Sequence, residues 1–209
     1  MNQLFKAVTR LAATLLLAVP LASMAQSGVP QEGKDYIRLQ KAVPVDTQGK
    51  SEVIEFFAYS CGHCYNFEPM LDAWIKKAPK DVVVKRVPIA FRDNLVPHQR
   101  LFYTIEAMGK LEQLHSKVFY AIHTERRALA TAPEMAEWAS TFGINKDEFL
   151  KYYNSFGVQT KVQRASKMTE DYKIEATPSM SVNGRFVSSG ADQRTLHTVD
   201  FLLAQSLKK

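Results

Sequence analysis

The 209-residue chain carries 27 Lys and Arg against 21 Asp and Glu, a formal net charge of +6, with 46% hydrophobic side chains and only two cysteines. No run of five or more like charges stands out, so the mild basic excess reads as solvated surface charge and gives no ground for a nucleic-acid partner. The length suits one domain with an insertion, or two intimate subdomains, and buries a core without cross-links, which frees the cysteines for chemistry.

Lys6 and Arg10 precede the apolar stretch Leu11 to Val19, followed by Pro20 and then Ser23-Met24-Ala25, with small residues at the two positions a signal peptidase reads. Residues 1–25 therefore read as a secretory signal cut after Ala25. A retained anchor is the rival, but the apolar run is shorter than the ~20 residues that span a bilayer and Pro20 interrupts it. Nothing later in the chain is apolar enough to span. Loss of Lys6 and Arg10 lowers the net charge from +6 to +4. The expected location is a compartment where disulfides persist, and the short three-part signal points to a bacterial periplasm.

After a polar leader ending near Lys34, Tyr36 to Leu39 alternates as an edge strand does, and Pro44 to Lys50 is a turn-rich connection. Val53 to Ala58 reads as a buried central strand. From Cys61 onward, Phe67, Met70, Leu71, Trp74 and Ile75 recur at steps of three and four, a helix that contains Pro69 and ends before Pro79. Asp81 to Phe91 is the next strand, completing a β-α-β unit with a right-handed crossover. Between Arg92 and Gly157 the pattern becomes all-helical: Leu101–Met108, Leu111–Ile122, Pro133–Phe142 and Lys146–Tyr153, with Thr131 and Pro133 as a helix start. A helix over Val158–Asp171 follows. Pro178–Val182 and Arg185–Ser188 then form a hairpin around Asn183-Gly184, a pair suited to positive φ at both turn positions, and a last helix covers Asp192–Leu207.

The two cysteines stand in Cys61-Gly62-His63-Cys64, directly between the buried strand and the helix. A sulfur at a helix start meets unpaired N–H groups and the positive end of the dipole, which favour its thiolate. A thiol titrates near pH ~8.5, and a helix N-terminus with a nearby imidazolium lowers that by one to several units. Cys61 is thus the expected nucleophile. Cys64, one turn on, would face inward and resolve a mixed disulfide formed on Cys61. A C-x-x-C is also half of many zinc sites, and an inert structural disulfide is a further reading. Zinc needs two more ligands, and no second cysteine pair or close His-x-x-x-His pattern is present.

Glu55-Phe56-Phe57 before Cys61-Gly62-His63-Cys64-Tyr65 and Phe67-Glu68, together with Thr177-Pro178 and Val182-Asn183-Gly184, resembles the DsbA family of thiol:disulfide oxidoreductases over essentially the whole chain after the signal. The resemblance implies an α/β architecture, a thioredoxin fold with an inserted all-helical domain. Residues 26–92 and 158–209 would form the thioredoxin-like domain and 93–157 the helical insertion. It also implies roles: Cys61 the exposed nucleophile, Cys64 its buried partner, Gly62 and His63 the dipeptide tuning the potential, and Pro178 a cis proline beside the pair. With Pro178 cis, the backbone of Thr177 would bind an extended substrate strand. Glu55 and Glu68 match acidic positions near the buried sulfur. Two residues depart from the commoner family pattern, Gly62 where many members have proline and Thr177 where several have valine, and both positions bear on oxidising strength.

Glu55 interrupts an otherwise apolar strand, where burial would raise its pKa and suit it to shuttle a proton for Cys64, with Lys85 on the next strand as a candidate partner. The bland reading is an edge-facing or simply salt-bridged glutamate. Glu68 reads as a solvated helix residue. A protonated His63 near Cys61 would be the main lever on the thiolate, and the histidines at 98, 115, 123 and 197 read as surface or helix-packing residues. The expected activity is donation of the Cys61–Cys64 disulfide to reduced, unfolded, newly exported proteins by a monomer without a bound cofactor, with a DsbB-type membrane oxidase restoring it. Two alternatives stay open, a disulfide reductase or isomerase and a periplasmic Cu(I)-binding protein of the same fold, the latter opposed by the lack of a methionine or histidine ligand set.

Overall fold

The computed structural model describes residues 28–47 and 49–206. The export signal and its cut after Ala25 lie outside these residues, and among them no helix is long and apolar enough to cross a membrane.

The sheet is mixed and five-stranded. Its strands are β1 (Ile37–Arg38), β2 (Ser51–Phe57), β3 (Val82–Pro88), β4 (Ser179–Val182) and β5 (Phe186–Ser189), in the spatial order β1-β5-β4-β2-β3. Strands β2 and β3 run parallel, joined through helix α1 (Gly62–Ile75), and every other pairing is antiparallel. Between β3 and the return to the sheet come α2 (Val96–Ala107), α3 (Leu111–His123), α4 (Ala132–Ser140), α5 (Lys146–Tyr153) and α6 (Phe156–Asp171). Helix α7 (Gln193–Ser206) closes the described chain. The architecture is the α/β thioredoxin fold with a helical insertion.

Most elements fall where periodicity puts them, and the differences have local causes. Helix α2 starts at Val96 rather than Leu101, because Pro97 supplies a helical φ in the first turn and the buried Gln99 donates to the Pro88 carbonyl at 3.0 Å. Helix α6 starts at Phe156, two residues early, because the Ser155 hydroxyl caps the Val158 N–H. Strand β1 is only two residues long, with Tyr36 and Leu39 buried at its ends. Pro69 sits inside α1 without ending it. The hairpin turn has Asn183 and Gly184 at φ 50° and 61°, and a Cβ on Gly184 would fall 2.0 Å from the Val43 carbonyl oxygen, so only glycine fits there.

The interior strand β2, between β4 and β3, separates two apolar layers, burying every residue from Glu52 to Phe57. Val53 packs with Phe67 and Leu71 of α1 and with Leu196, Val199 and Leu202 of α7. Ile54, Phe56 and Phe57 pack into the second layer with Phe102, Phe119 and Tyr172 of the helical segments. A strand buried on both faces reads as a continuous apolar run, and here the exceptions Glu52 and Glu55 mark where charge enters the core.

Candidate active site

Parallel pairing of β2 with β3 leads the chain out of Phe57 into a short turn whose end is the N-cap of α1, and that N-cap is Cys61. Its backbone is extended, with φ −86° and ψ 115°, and its Sγ accepts the Cys64 N–H at 3.4 Å. The two cysteines are free thiols in this structure, Cys61 half-buried and Cys64 fully buried. Gly62 and His63, between them in the first turn, are exposed.

Charge and proton are separated across the pair. The Cys61 pKa falls from 9.0 to about 5: the Cys64 thiol donates to its sulfur, a hydrogen bond from the Thr177 side chain adds to this, and so do the backbone N–H groups of Cys64 and His63, while partial burial works against it. The same thiol hydrogen bond, together with burial, drives the Cys64 pKa far above its ordinary value. The largest contribution to the Cys61 thiolate thus comes from Cys64 rather than from the His63 imidazole, which the sequence reading made the main lever.

The start of β4 supplies the opposite wall. The Thr177-Pro178 peptide bond is cis, Pro178 is buried, and the Thr177 carbonyl oxygen accepts from Cys61 Sγ at 3.3 Å. Antiparallel pairing of Phe56 with Ser179 brings this turn alongside the end of β2.

Behind the cysteines lies a buried polar cluster. Glu55 is fully buried, and Arg86 Nε donates to its Oε2 at 3.1 Å, while Oε1 has no protein partner among the described residues. Burial raises its pKa to about 8, with the charge of Glu68 adding to the rise and Arg86 opposing it. Lys85 is not its partner. In the β2–β3 register Glu55 lies opposite Arg86 and Ile54 opposite Lys85, so strand alternation sends Lys85 to the other face, where it meets Glu52 at 2.7 Å and also pairs with Asp46.

Glu68 of α1 is buried rather than solvated. Its Oε2 accepts from Arg86 Nη2 at 3.0 Å, and its Oε1 lies 3.1 Å from Nε2 of His115 on α3. The same Arg86 nitrogen reaches Asp72 at 2.7 Å. Burial alone would raise the Glu68 pKa, but its hydrogen bond to His115, the charge that ring carries when protonated, and the charge of Arg86 outweigh this and hold it below the usual carboxylate range. His115 is itself buried, with Nδ1 2.8 Å from the Tyr59 hydroxyl. Arg86 and Tyr59 have no role in the sequence pattern, and His115, which reads there as a surface or helix-packing residue, is a buried member of the cluster. Their signals were present: Arg86 interrupts a β-strand as Glu55 does, and His115 sits on the apolar face of α3 in step with Leu111, Leu114, Val118 and Ile122.

A sulfur pair with one low and one high pKa, a free wall beside the accessible sulfur and a buried acid behind the other is suited to thiol-disulfide exchange. Comparison with known proteins points the same way. The DSBA-like thioredoxin domain family matches residues 52–199. The chain is 45% identical to "Thiol:disulfide interchange protein DsbA" of Bordetella parapertussis, over 95% of this chain and 96% of that protein, and 40% identical to the protein of the same name in Burkholderia cepacia, over 94% and 96%. Among solved structures, DsbA of Pseudomonas aeruginosa superposes with a TM-score of 0.80 at 38% identity, covering 84% of this chain and 93% of that one. The oxidoreductase DsbA of Xylella fastidiosa gives 0.82 at 29% identity, covering 87% and 100%.

Proposed function

Because the chain belongs to the DSBA-like thioredoxin domain family and is by that kinship a thiol:disulfide oxidoreductase, we propose that it works as an oxidase, donating a Cys61–Cys64 disulfide to reduced proteins newly exported into the bacterial periplasm. The observation that carries the direction is the separation of charge and proton across the pair, with Cys61 at about 5 and Cys64 driven far upward. Oxidation destroys the stabilised Cys61 charge, so the reduced form is favoured and the disulfide is given away. Each pKa unit below ambient pH is worth about 1.36 kcal/mol, roughly 30 mV for a two-electron couple.

In the first step a substrate thiolate attacks Cys61 Sγ, a bond forms between them, and the Cys61–Cys64 bond breaks. Cys64 leaves with the electron pair and takes a proton, which Glu55 supplies as a buried carboxylic acid. In the second step another substrate thiolate attacks the substrate sulfur of the mixed disulfide, and Cys61 leaves as its stabilised thiolate. The substrate is oxidised by two electrons and the enzyme reduced by two. Gly62 and His63 tune the potential, and Thr177 with Pro178 receives an extended stretch of substrate backbone. A DsbB-type membrane oxidase then removes the two electrons and restores the disulfide.

On this reading the chain acts as a monomer without a bound cofactor after cleavage behind Ala25, with residues 26–92 and 158–209 forming the redox domain and 93–157 the helical domain inserted into it. Equilibration of the mature protein against glutathione buffers tests the direction. A potential towards the DsbA reference of about −120 mV supports the oxidase, and one towards thioredoxin, about −270 mV, replaces it with a reductase or isomerase.

A further inference from the structure

Two buried carboxyl groups, Glu55 and Glu68, share the single guanidinium of Arg86, and what distinguishes them is His115. Glu68 has an N–H donor on each oxygen, Arg86 Nη2 at 3.0 Å and His115 Nε2 at 3.1 Å, whereas among the described residues Glu55 has Arg86 on one oxygen alone. We propose that His115, held by Tyr59, is a positioning residue for the exchange reaction: its Nε2–H keeps Glu68 ionised, so that the proton of the acid pair resides on Glu55, where the departing Cys64 needs it. The inference rests on the reading that Glu55 supplies that proton.

The geometry defines the tautomer. Burial raises the Tyr59 pKa well above the ordinary phenol value, so its hydroxyl stays protonated and donates to Nδ1 at 2.8 Å. Burial also lowers the His115 pKa against the opposing pull of Glu68, which leaves a neutral ring carrying its proton on Nε2 towards Glu68. The ring is packed by Phe57, Phe102 and Phe119, with centroids 5.1, 5.7 and 5.3 Å away, so water does not compete for that hydrogen bond and a donor in this dry surround has a large effect. The titratable groups facing the cluster are Glu55 from β2, Tyr59 after it, Cys64, Glu68 and Asp72 from α1, Arg86 from β3 and His115 from α3. With Glu68 and Asp72 charged, one cation already faces two anions, and a third on Glu55 is disfavoured. Without His115, Oε1 of Glu68 would be bare, Glu68 would take the proton, and Glu55 would ionise.

Carboxyl-resolved NMR titration of glutamate-labelled mature protein, run beside the pH profile for reduction of its disulfide by a dithiol peptide, tests this in His115→Leu and His115→Gln. The expected result is a wild-type Glu55 midpoint well above the carboxylate range, lowered by about one unit or more in His115→Leu with a matching rise at Glu68, and kept in His115→Gln, whose amide still donates. The rate profile shifts with the Glu55 midpoint. In a Glu68→Gln background His115→Leu moves Glu55 no further. Tyr59→Phe, which keeps the ring and its packing, shifts Glu55 the same way by less, and provides the reading if His115→Leu does not fold. A high wild-type midpoint that neither His115→Leu nor Tyr59→Phe moves overturns the role of His115 and leaves that of Glu55 standing. A Glu55 ionised throughout the neutral range in wild type overturns the proton-donor reading, and the role of His115 with it.

Discussion

Cys61 Sγ lies 3.3 Å from the carbonyl oxygen of Thr177, although the two residues are 116 positions apart. The contact exists because β2 and β4 pair antiparallel, so the chain leaving β2 and the chain entering β4 meet at one end of the sheet. Thr177 acts on Cys61 in two opposed ways: its carbonyl accepts the thiol proton and favours the neutral form, while its side chain favours the thiolate.

Thr177→Val separates these effects, since it deletes the hydroxyl, keeps the β-branched shape and leaves the carbonyl in place. The Cys61 pKa should rise and the disulfide become less oxidising, with unfolding unchanged. Ultraviolet thiolate absorbance followed against pH reads the first, and an unaltered titration would remove Thr177 from the set of groups that hold the charge.

His63→Ala loses an exposed imidazole but retains the backbone N–H that supports the sulfur. The Cys61 pKa should rise and the protein become a weaker oxidant, while more than half of the depression persists because Cys64 and the helix start supply it. A Cys61 that returns to the ordinary thiol value in this variant would show that the imidazole dominates.

Serine at either cysteine should give opposite results with a disulfide substrate, such as oxidised glutathione, whose other half leaves as a thiolate when Cys61 attacks. Cys61→Ser abolishes exchange, because the remaining sulfur is buried. Cys64→Ser still attacks through Cys61 and accumulates a covalent mixed disulfide, which mass spectrometry of the acid-quenched reaction detects. Adduct formation at Cys64 in the Cys61→Ser protein would reverse the assignment.

The folded-state pKa of Cys61 lies below its ordinary value, so its contribution to the stability of the reduced protein is fully present above pH 9.0 and is lost as pH falls through about 5. The oxidised protein has no such group. The stability advantage of the reduced over the oxidised form should therefore widen as pH rises across that window. Denaturant titrations of both forms at its two ends measure it, and a gap independent of pH would mean that the thiolate is not specifically stabilised by the fold.

Glu55 carries the opposite sign. Its folded pKa, about 8, lies above the ordinary 4.5, so its contribution is fully present below pH 4.5 and is lost as pH rises through about 8. Glu55→Gln should flatten that fall in the oxidised protein. It should also slow reduction of the disulfide by a dithiol, on the order of the 100-fold at which general acid catalysis typically begins. Stopped-flow kinetics with denaturation curves check both, and a variant of unchanged rate would leave Glu55 as a structural acid only.

Local order along the chain was enough for much of this protein. The C-x-x-C between a buried strand and a helical pattern, the start of α1 there, the capped start of α4 and the Asn183-Gly184 turn each depend on neighbours within a few residues, and local spacing is what a sequence displays directly. The contacts that tune the chemistry depend on which strands pair and in what register. A single residue of register decides that Glu55 faces Arg86 while Lys85 faces away. Packing of α3 across α1 buries Glu68, which from its own helix looks solvated, and gives it His115 as a partner 47 positions distant. Desolvation and shared hydrogen bonds, which set the charge of every group in that cluster, arise only once distant segments exclude water together. The sequence therefore named the sulfurs, and the tertiary structure decided which buried groups surround Glu55.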